Sequence, residues 1–131
     1  MLHQIHLRAM NTEVGIWLWQ PAAQAAEWLQ QASQRFTAIE AELSRFRPDS
    51  GLSRLNAAAG SGPQPVSPLL WTVLTAALEA ARRSDGLFDP TLLHALRRAG
   101  YDCSFEQLPP PSPAAPAAPA ALDWGYQRVR T

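Results

Sequence analysis

At Pro21 the hydrophobic period of this chain changes, and that change constrains the fold more than any other feature of the sequence. Before it, apolar and polar residues alternate. Ile5 and Leu7 share one face with His6 and Arg8 on the other, and Val14, Ile16 and Leu18 share a face with Trp17 and Trp19 opposite. A period of two is that of a strand, so Leu2 to Met10 and Glu13 to Trp19 are predicted as two strands. Asn11-Thr12 is the predicted turn, because Asn tolerates left-handed backbone. Apolar side chains on both faces of the second run predict a strand covered on both sides. After Pro21, Ala25, Leu29, Ala32, Phe36, Ile39, Leu43 and Phe46 recur with gaps of four and three, one apolar stripe along a helix. Glu27, Gln31, Gln34 and Glu42 fall off the stripe. The helix is predicted to stop before Pro48, whose ring disfavours helical geometry at Arg47. A short coiled coil is the weaker reading, since the stripe ends after about three heptads.

The stretch from Arg47 to Pro65 is rich in Pro and Gly and reads as a structured loop, anchored by Leu52 and Leu55. Ser67-Pro68 is a helix start, a hydroxyl N-cap followed by Pro at the first helical position. Leu70, Val73, Leu74, Ala77, Leu78 and Ala81 form the face to be buried, and Gly86 is the predicted C′ residue. Asp89-Pro90 repeats the start signal, Leu92, Leu93 and Leu96 follow, and Gly100 closes that helix. The expected fold class is α+β, with N-terminal antiparallel strands packed with three amphipathic helices. The expected domain lies in residues 1–106, followed by a Pro/Ala-rich linker at 107–120 and the start of a second part at 121–131. From Pro109 to Ala120 every residue but Ser112 is Pro or Ala, so that stretch has little to bury and is biased to polyproline II. Trp124, Tyr126 and Val129 are read as the beginning of a strand.

The chemistry available is narrow. Eleven basic residues balance eleven acidic ones, which argues against the basic field of a general nucleic-acid binder. Every basic residue is Arg, so a catalytic Lys or a phosphate-loop Lys is excluded within the chain. One cysteine, Cys103, forms neither an internal disulfide nor a Cys-rich metal site. His3 and His6 are three positions apart and point to opposite faces of a strand, which disfavours a joint metal site. No apolar run reaches transmembrane length and no signal peptide is visible, so the expected location is cytoplasmic as sequenced.

Three segments are more pointed. Ala9-Met10-Asn11-Thr12 places a Met at a strand end beside a tight turn. Ser44-Arg45-Phe46-Arg47-Pro48-Asp49-Ser50, followed by Leu52-Ser53-Arg54-Leu55-Asn56, places an aromatic at a helix end beside two guanidinium groups. Ser84-Asp85-Gly86-Leu87-Phe88-Asp89-Pro90-Thr91 is a junction between helices. Taken singly, each has an ordinary structural explanation: Met10 and Phe46 as core, Asp89 as an N-cap. Taken in order, together with Pro65-Val66-Ser67 and Gly100 to Phe105, they resemble the ApbE family, the FAD:protein FMN transferases. The resemblance covers residues 1–106.

That resemblance implies a partial ApbE-like domain, the N-terminal flavin-contacting half of a transferase. Such an enzyme moves FMN from FAD to a Thr of a target protein with Mg²⁺. It implies FAD contacts at Met10, Phe46, Leu87, Phe88 and Asp89, with no catalytic or metal-ligating residue in this chain. FAD is the implied substrate and a flavin-acceptor protein the implied partner, and the family is often exported to the periplasm as a lipoprotein. Two departures stand out. Asn11 replaces the family's usual Gly. The family's later motifs, a Lys-Gly segment, a His-x-x-Asp-Pro motif and the Mg²⁺-holding residues, are absent, so the chain is expected to be truncated and inactive alone. The alternative reading is a non-catalytic ligand-binding or interaction module derived from the same fold. Sequence periodicity makes one direct prediction: the far-UV circular dichroism of the chain is dominated by helix, and a strand-dominated spectrum contradicts the helix assignments.

Overall fold

The computed structural model describes residues 1–19, 21–108, 110 and 125–129. Its elements run strand β1 (Leu2–Ala9), strand β2 (Thr12–Trp19), helix α1 (Ala22–Leu43), helix α2 (Gly51–Ala57), helix α3 (Pro68–Arg83) and helix α4 (Leu93–Arg98), with 3-10 turns at Phe105–Gln107 and Gly125–Arg128. The α+β class expected from the two periods is the one observed, with a fourth α-helix. Contacts divide the chain into two compact units, Met1–Leu70 and Trp71–Thr131. Among the described residues, no helix is long and apolar enough to cross a membrane.

In the first unit, β1 and β2 pair antiparallel in the register Ile5↔Ile16 and Leu7↔Val14. The inner face carries His3, Ile5, Leu7 and Ala9 from β1 with Val14, Ile16 and Leu18 from β2, while His6 points outward. Both strands pack on α1. The expected second cover is missing among the described residues: Trp17 and Trp19 are 58% and 74% exposed. The turn also sits one residue earlier than expected. Met10 (φ 51°) and Asn11 (φ 59°) are its two central residues, both left-handed. That is the backbone of a type I′ hairpin, whose twist matches the strands it joins. Asn accepts the geometry readily and Met does not.

Along α1, Ala25 and Leu29 are buried and Ala32, Phe36, Ile39 and Leu43 half-buried, as the stripe predicts. The stripe then breaks. The helix ends at Leu43 with Ser44 as its C-cap in extended geometry, so Phe46 leaves the helical face and is 41% exposed. The cause is a hydrogen-bonded corner. The fully buried Ser50 hydroxyl donates to the Ser44 carbonyl at 2.6 Å and accepts from the Ser53 amide at 3.0 Å, which N-caps α2. Helix α2 lies inside the stretch expected as loop; its signal was Ser50 followed by Leu52 and Leu55.

Glu42, off the stripe, accepts at 2.5 Å from the Ser67 hydroxyl, and Ser67 accepts from the Leu70 amide at 3.1 Å. Ser67 therefore caps α3 as its Ser-Pro start predicts. Gly51 gives room for that carboxylate, since a Cβ there would stand 2.3 Å from Glu42 Oε1.

In the second unit, Leu78, Ala81 and Tyr126 form a buried cluster. Tyr126 lies in a 3-10 turn rather than the expected strand, and it is 7% exposed. The Pro/Ala stretch falls outside the described residues except for Pro110.

Replacing Ser50 by Ala removes a cap and orphans a carbonyl at the corner. It is expected to destabilise the chain by about 1–2 kcal/mol in urea unfolding. An unchanged midpoint would remove the corner from the account of why α1 stops.

Candidate functional site

Three loops display the residues picked out by sequence, two in the first unit and one in the second. In the first unit, the hairpin turn presents Met10, which is 50% exposed. Its amide donates to Glu40 Oε1 on α1 at 3.1 Å, so a helix residue 30 positions away holds the strained turn. Arg8 braces the other side, donating to Asn11 Oδ1 at 2.9 Å and to Glu13 at 3.3 Å. Asn11 is thus both a left-handed residue and an acceptor.

The corner after α1 presents Phe46. The Arg45 guanidinium lies over its ring, 4.1 Å from the centroid, a cation–π contact. The Phe46 amide donates to the Ser44 hydroxyl at 3.3 Å. Arg47 forms a two-pronged pair with Asp49 at 3.0 and 3.3 Å. Hydrogen bonding to Arg47 holds the Asp49 carboxyl below its ordinary value of 3.8, and the same pair holds Arg47 more firmly protonated. Both side chains are exposed, so the pair adds little to stability.

In the second unit, α3 ends in a two-bond terminus. The Gly86 amide reaches the Ala81 carbonyl at 2.9 Å and the Asp85 amide reaches that of Arg82 at 3.2 Å. This is a Schellman motif, and its left-handed C′ residue is Asp85 (φ 50°), one position before the expected Gly86 (φ 81°). Two left-handed residues in succession turn the chain outward, leaving Leu87 and Phe88 92% and 48% exposed. The Ser84 hydroxyl accepts from the Phe88 amide at 3.1 Å and fixes the loop.

Asp89 is not the N-cap expected. Its Oδ1 accepts from the Thr91 amide at 2.8 Å and from the Thr91 hydroxyl at 2.6 Å, closing an Asx turn, and α4 starts only at Leu93 with Leu92 as an uncapped N-cap. Asp89 Oδ2 is shielded and has no hydrogen-bond partner among the described residues. A buried carboxylate oxygen without a partner is costly, and a hydroxyl or amine brought to it would relieve that cost. Gly125 abuts this turn: a Cβ there would stand 2.1 Å from Thr91 Oγ1. An open hollow of about 540 Å³ along α3 is lined by Ala76, Glu79, Ala80, Arg83 and Ser84, and meets the loop only at Ser84.

The five residues expected to contact a ligand thus fall into two groups, Met10 with Phe46 in one unit and Leu87-Phe88-Asp89 in the other. Sequence reasoning named Ser84 and Thr91 only as part of the junction, without their roles, and missed Glu40 altogether; their hydrogen bonds hold these loops in shape. Among the described residues, no three His, Cys, Asp or Glu side chains gather as a metal site.

The chain matches the model of the ApbE family over residues 10–131. It is 35% identical over 95 residues to the FAD:protein FMN transferase of Treponema pallidum (strain Nichols), a match covering 72% of this chain and 26% of that protein. Among solved structures it is similar to the ApbE protein of Thermotoga maritima, with a TM-score of 0.73 at 21% identity, covering 86% of this chain and 36% of that one. It is similar also to the flavin transferase ApbE of Vibrio cholerae, with a TM-score of 0.68 at 25% identity, covering 86% of this chain and 38% of that one. The chain therefore spans about a quarter of the curated relative's length.

The Arg47–Asp49 pair makes a pH prediction. Because the Asp49 value is depressed in the folded chain, its contribution is fully present above 3.8 and is lost as pH falls through the lower folded value. A carboxyl-carbon NMR titration should place Asp49 below 3.8, and Arg47→Ala should return it toward that value. No movement on Arg47→Ala would assign the depression to another cause.

Proposed function

Because the chain belongs to the ApbE family, we propose that it forms the N-terminal, flavin-contacting part of an FAD:protein FMN transferase. Its substrate is then FAD, and its partner an acceptor protein whose Thr hydroxyl receives FMN. The observation that carries this reading is the Leu87-Phe88-Asp89 loop: an exposed apolar tip beside a carboxylate oxygen with no partner among the described residues. An aromatic ring beside an acceptor suits a flavin dinucleotide, which offers flat rings to stack and ribose hydroxyls and a base amine to donate. In the first unit, Phe46 presents an exposed ring of its own, braced by Arg45, and Met10 an apolar side chain on a turn held by Glu40.

The donor set sorts the two expected groups differently. FAD fits the residues present, since acceptor and stacking surfaces are both displayed. Mg²⁺ does not fit the described residues: it demands near-octahedral oxygen ligands, and no cluster of three candidate ligands occurs among them. No step of the reaction is therefore derived through Mg²⁺ on this chain. Nor is a catalytic acid, base or nucleophile assigned. In the proposed role each unit binds and orients with its own residues: Phe46 offers a ring face in the first, and in the second Phe88 offers a ring face beside Asp89, whose Oδ1 remains committed to Thr91.

The test is the purified chain with FAD, Mg²⁺ and a Thr-containing acceptor domain, read by mass spectrometry and by flavin fluorescence. The expected result is no covalent adduct but weak FAD quenching, since part of a pocket offsets little of the entropy of immobilising the ligand. Phe46→Ala should weaken binding by about threefold to tenfold, the worth of one aromatic stacking contact. Flavinylation at enzyme-like rates would show that catalytic residues lie in this chain. Absence of any FAD binding would favour an interaction module instead.

A further inference from the structure

The hairpin turn carries a donor that the ribbon does not use. Ladder pairing ends at Ala9↔Thr12, so the Met10 amide lies beyond the last pair. It donates instead to Glu40 Oε1 at 3.1 Å. Glu40 is half-buried and sits in the last turn of α1. Its backbone takes part at that end as well, where the Glu40 carbonyl accepts from the Ser44 amide at 3.0 Å and closes the helix at its C-cap. One residue thus meets the Met10 turn with its side chain and the start of the Phe46 corner with its main chain. Its charge reaches the corner too. Arg47 is held protonated first by its hydrogen bond to Asp49 and by the Asp49 charge, and the Glu40 charge adds to them.

Core packing does not account for this arrangement. Met10 is 50% exposed, so its side chain gains little burial from the left-handed backbone (φ 51°) that it holds. That backbone crowds a Cβ against the carbonyl that follows, and Gly or Asn holds it at lower cost. The other central residue, Asn11, is of the tolerant kind, and its side chain is tied by Arg8 at 2.9 Å. The costly residue of the turn is Met10, and it is the Met10 amide that the carboxylate holds. An amide bonded to a carboxylate makes a charge-assisted bond, about twice as strong as a neutral one. Strain held from outside at an exposed apolar side chain keeps that side chain in one direction.

We propose that Glu40 is a positioning residue for the flavin dinucleotide: its carboxylate fixes the Met10 turn to the end of α1, so that Met10 and Phe46 meet the ligand in one set relation. Glu40 acts through Met10 and makes no ligand contact of its own. The inference deepens the flavin reading and rests on it. Two other roles suit the same geometry, a bond that serves folding alone and a charge that acts on the corner through Arg47. Neither depends on the Met10 side chain, and that difference decides between them.

The experiment titrates the full chain with FAD by flavin fluorescence and follows amide exchange at Met10 by NMR. Glu40→Ala should remove the exchange protection of the Met10 amide and weaken FAD by about threefold to tenfold, the worth of one hydrogen bond. Glu40→Gln keeps an acceptor oxygen at the same reach without the charge, and should stay within about twofold of wild type. Glu40→Asp keeps the charge but withdraws the acceptor by one methylene, and should weaken FAD as Glu40→Ala does; it takes the place of Glu40→Ala if that variant does not fold. Met10→Ala should weaken FAD by itself, and in that background the loss of Glu40 should add nothing, because the side chain it positions is gone. Equal weakening with and without the Met10 side chain assigns Glu40 to the fold and overturns the proposal. Glu40→Gln as weak as Glu40→Ala, with Glu40→Asp like wild type, overturns it in favour of charge. A wild-type chain that binds no FAD overturns the flavin reading and this proposal together, whereas wild-type binding that Glu40→Ala leaves unchanged overturns this proposal alone.

Discussion

One buried hydroxyl organises the first unit. Ser50, with no exposed surface, donates to the last carbonyl region of α1 at Ser44 and caps α2 through the Ser53 amide. It converts a helix that sequence would continue into a corner. Without that corner Phe46 would extend the apolar stripe and be buried; with it, the ring is turned out under Arg45. The Glu42–Ser67 bond extends the same device by fixing the first turn of α3 to the end of α1. Neutral hydrogen bonds of this kind are worth about 1 kcal/mol each, but leaving a buried partner unmade costs more. The corner is therefore better understood as a set of obligations than as a sum of attractions.

The loops proposed to meet a ligand share a second physical character. Met10, and Asp85 just before the Leu87-Phe88 tip, hold left-handed backbone, which costs Met more than Asp. The Met10 turn is held from across the unit by Glu40, and the Asp85 turn locally, by the Ser84 hydroxyl accepting from the Phe88 amide. Strain of this sort persists where surrounding structure over-determines it, and it clusters where a side chain must be displayed rather than packed. Asp89 adds a polar counterpart, one oxygen closed on Thr91 and the other without a partner among the described residues. These loops are thus shaped by side-chain-to-backbone bonds.

The chain spans about a third of the solved ApbE proteins it is similar to. Among the described residues Trp17 and Trp19 stand exposed on the outer face of the hairpin, and the loop proposed to meet a ligand has no metal cluster among them.

The sequence by itself determined what short-range chemistry can determine. The period-two run set β1 and β2 and the inward face of Ile5, Leu7, Val14, Ile16 and Leu18. The stripe from Ala25 to Leu43 set α1, Ser67-Pro68 the start of α3, and Gly100 (φ 89°) the end of α4. The family was legible too, because its motifs are runs of adjacent residues. Tertiary structure decided the rest. Where α1 stops depends on a corner that Ser50 closes only six residues on, while why Glu42 is turned inward, which residues form the hairpin turn and where Tyr126 is buried depend on partners far away in the chain. The Met10–Glu40 and Ser67–Glu42 bonds span 30 and 25 residues. No local pattern encodes such pairs, since a carboxylate that will hold an amide across the fold looks, in sequence, like one that faces water.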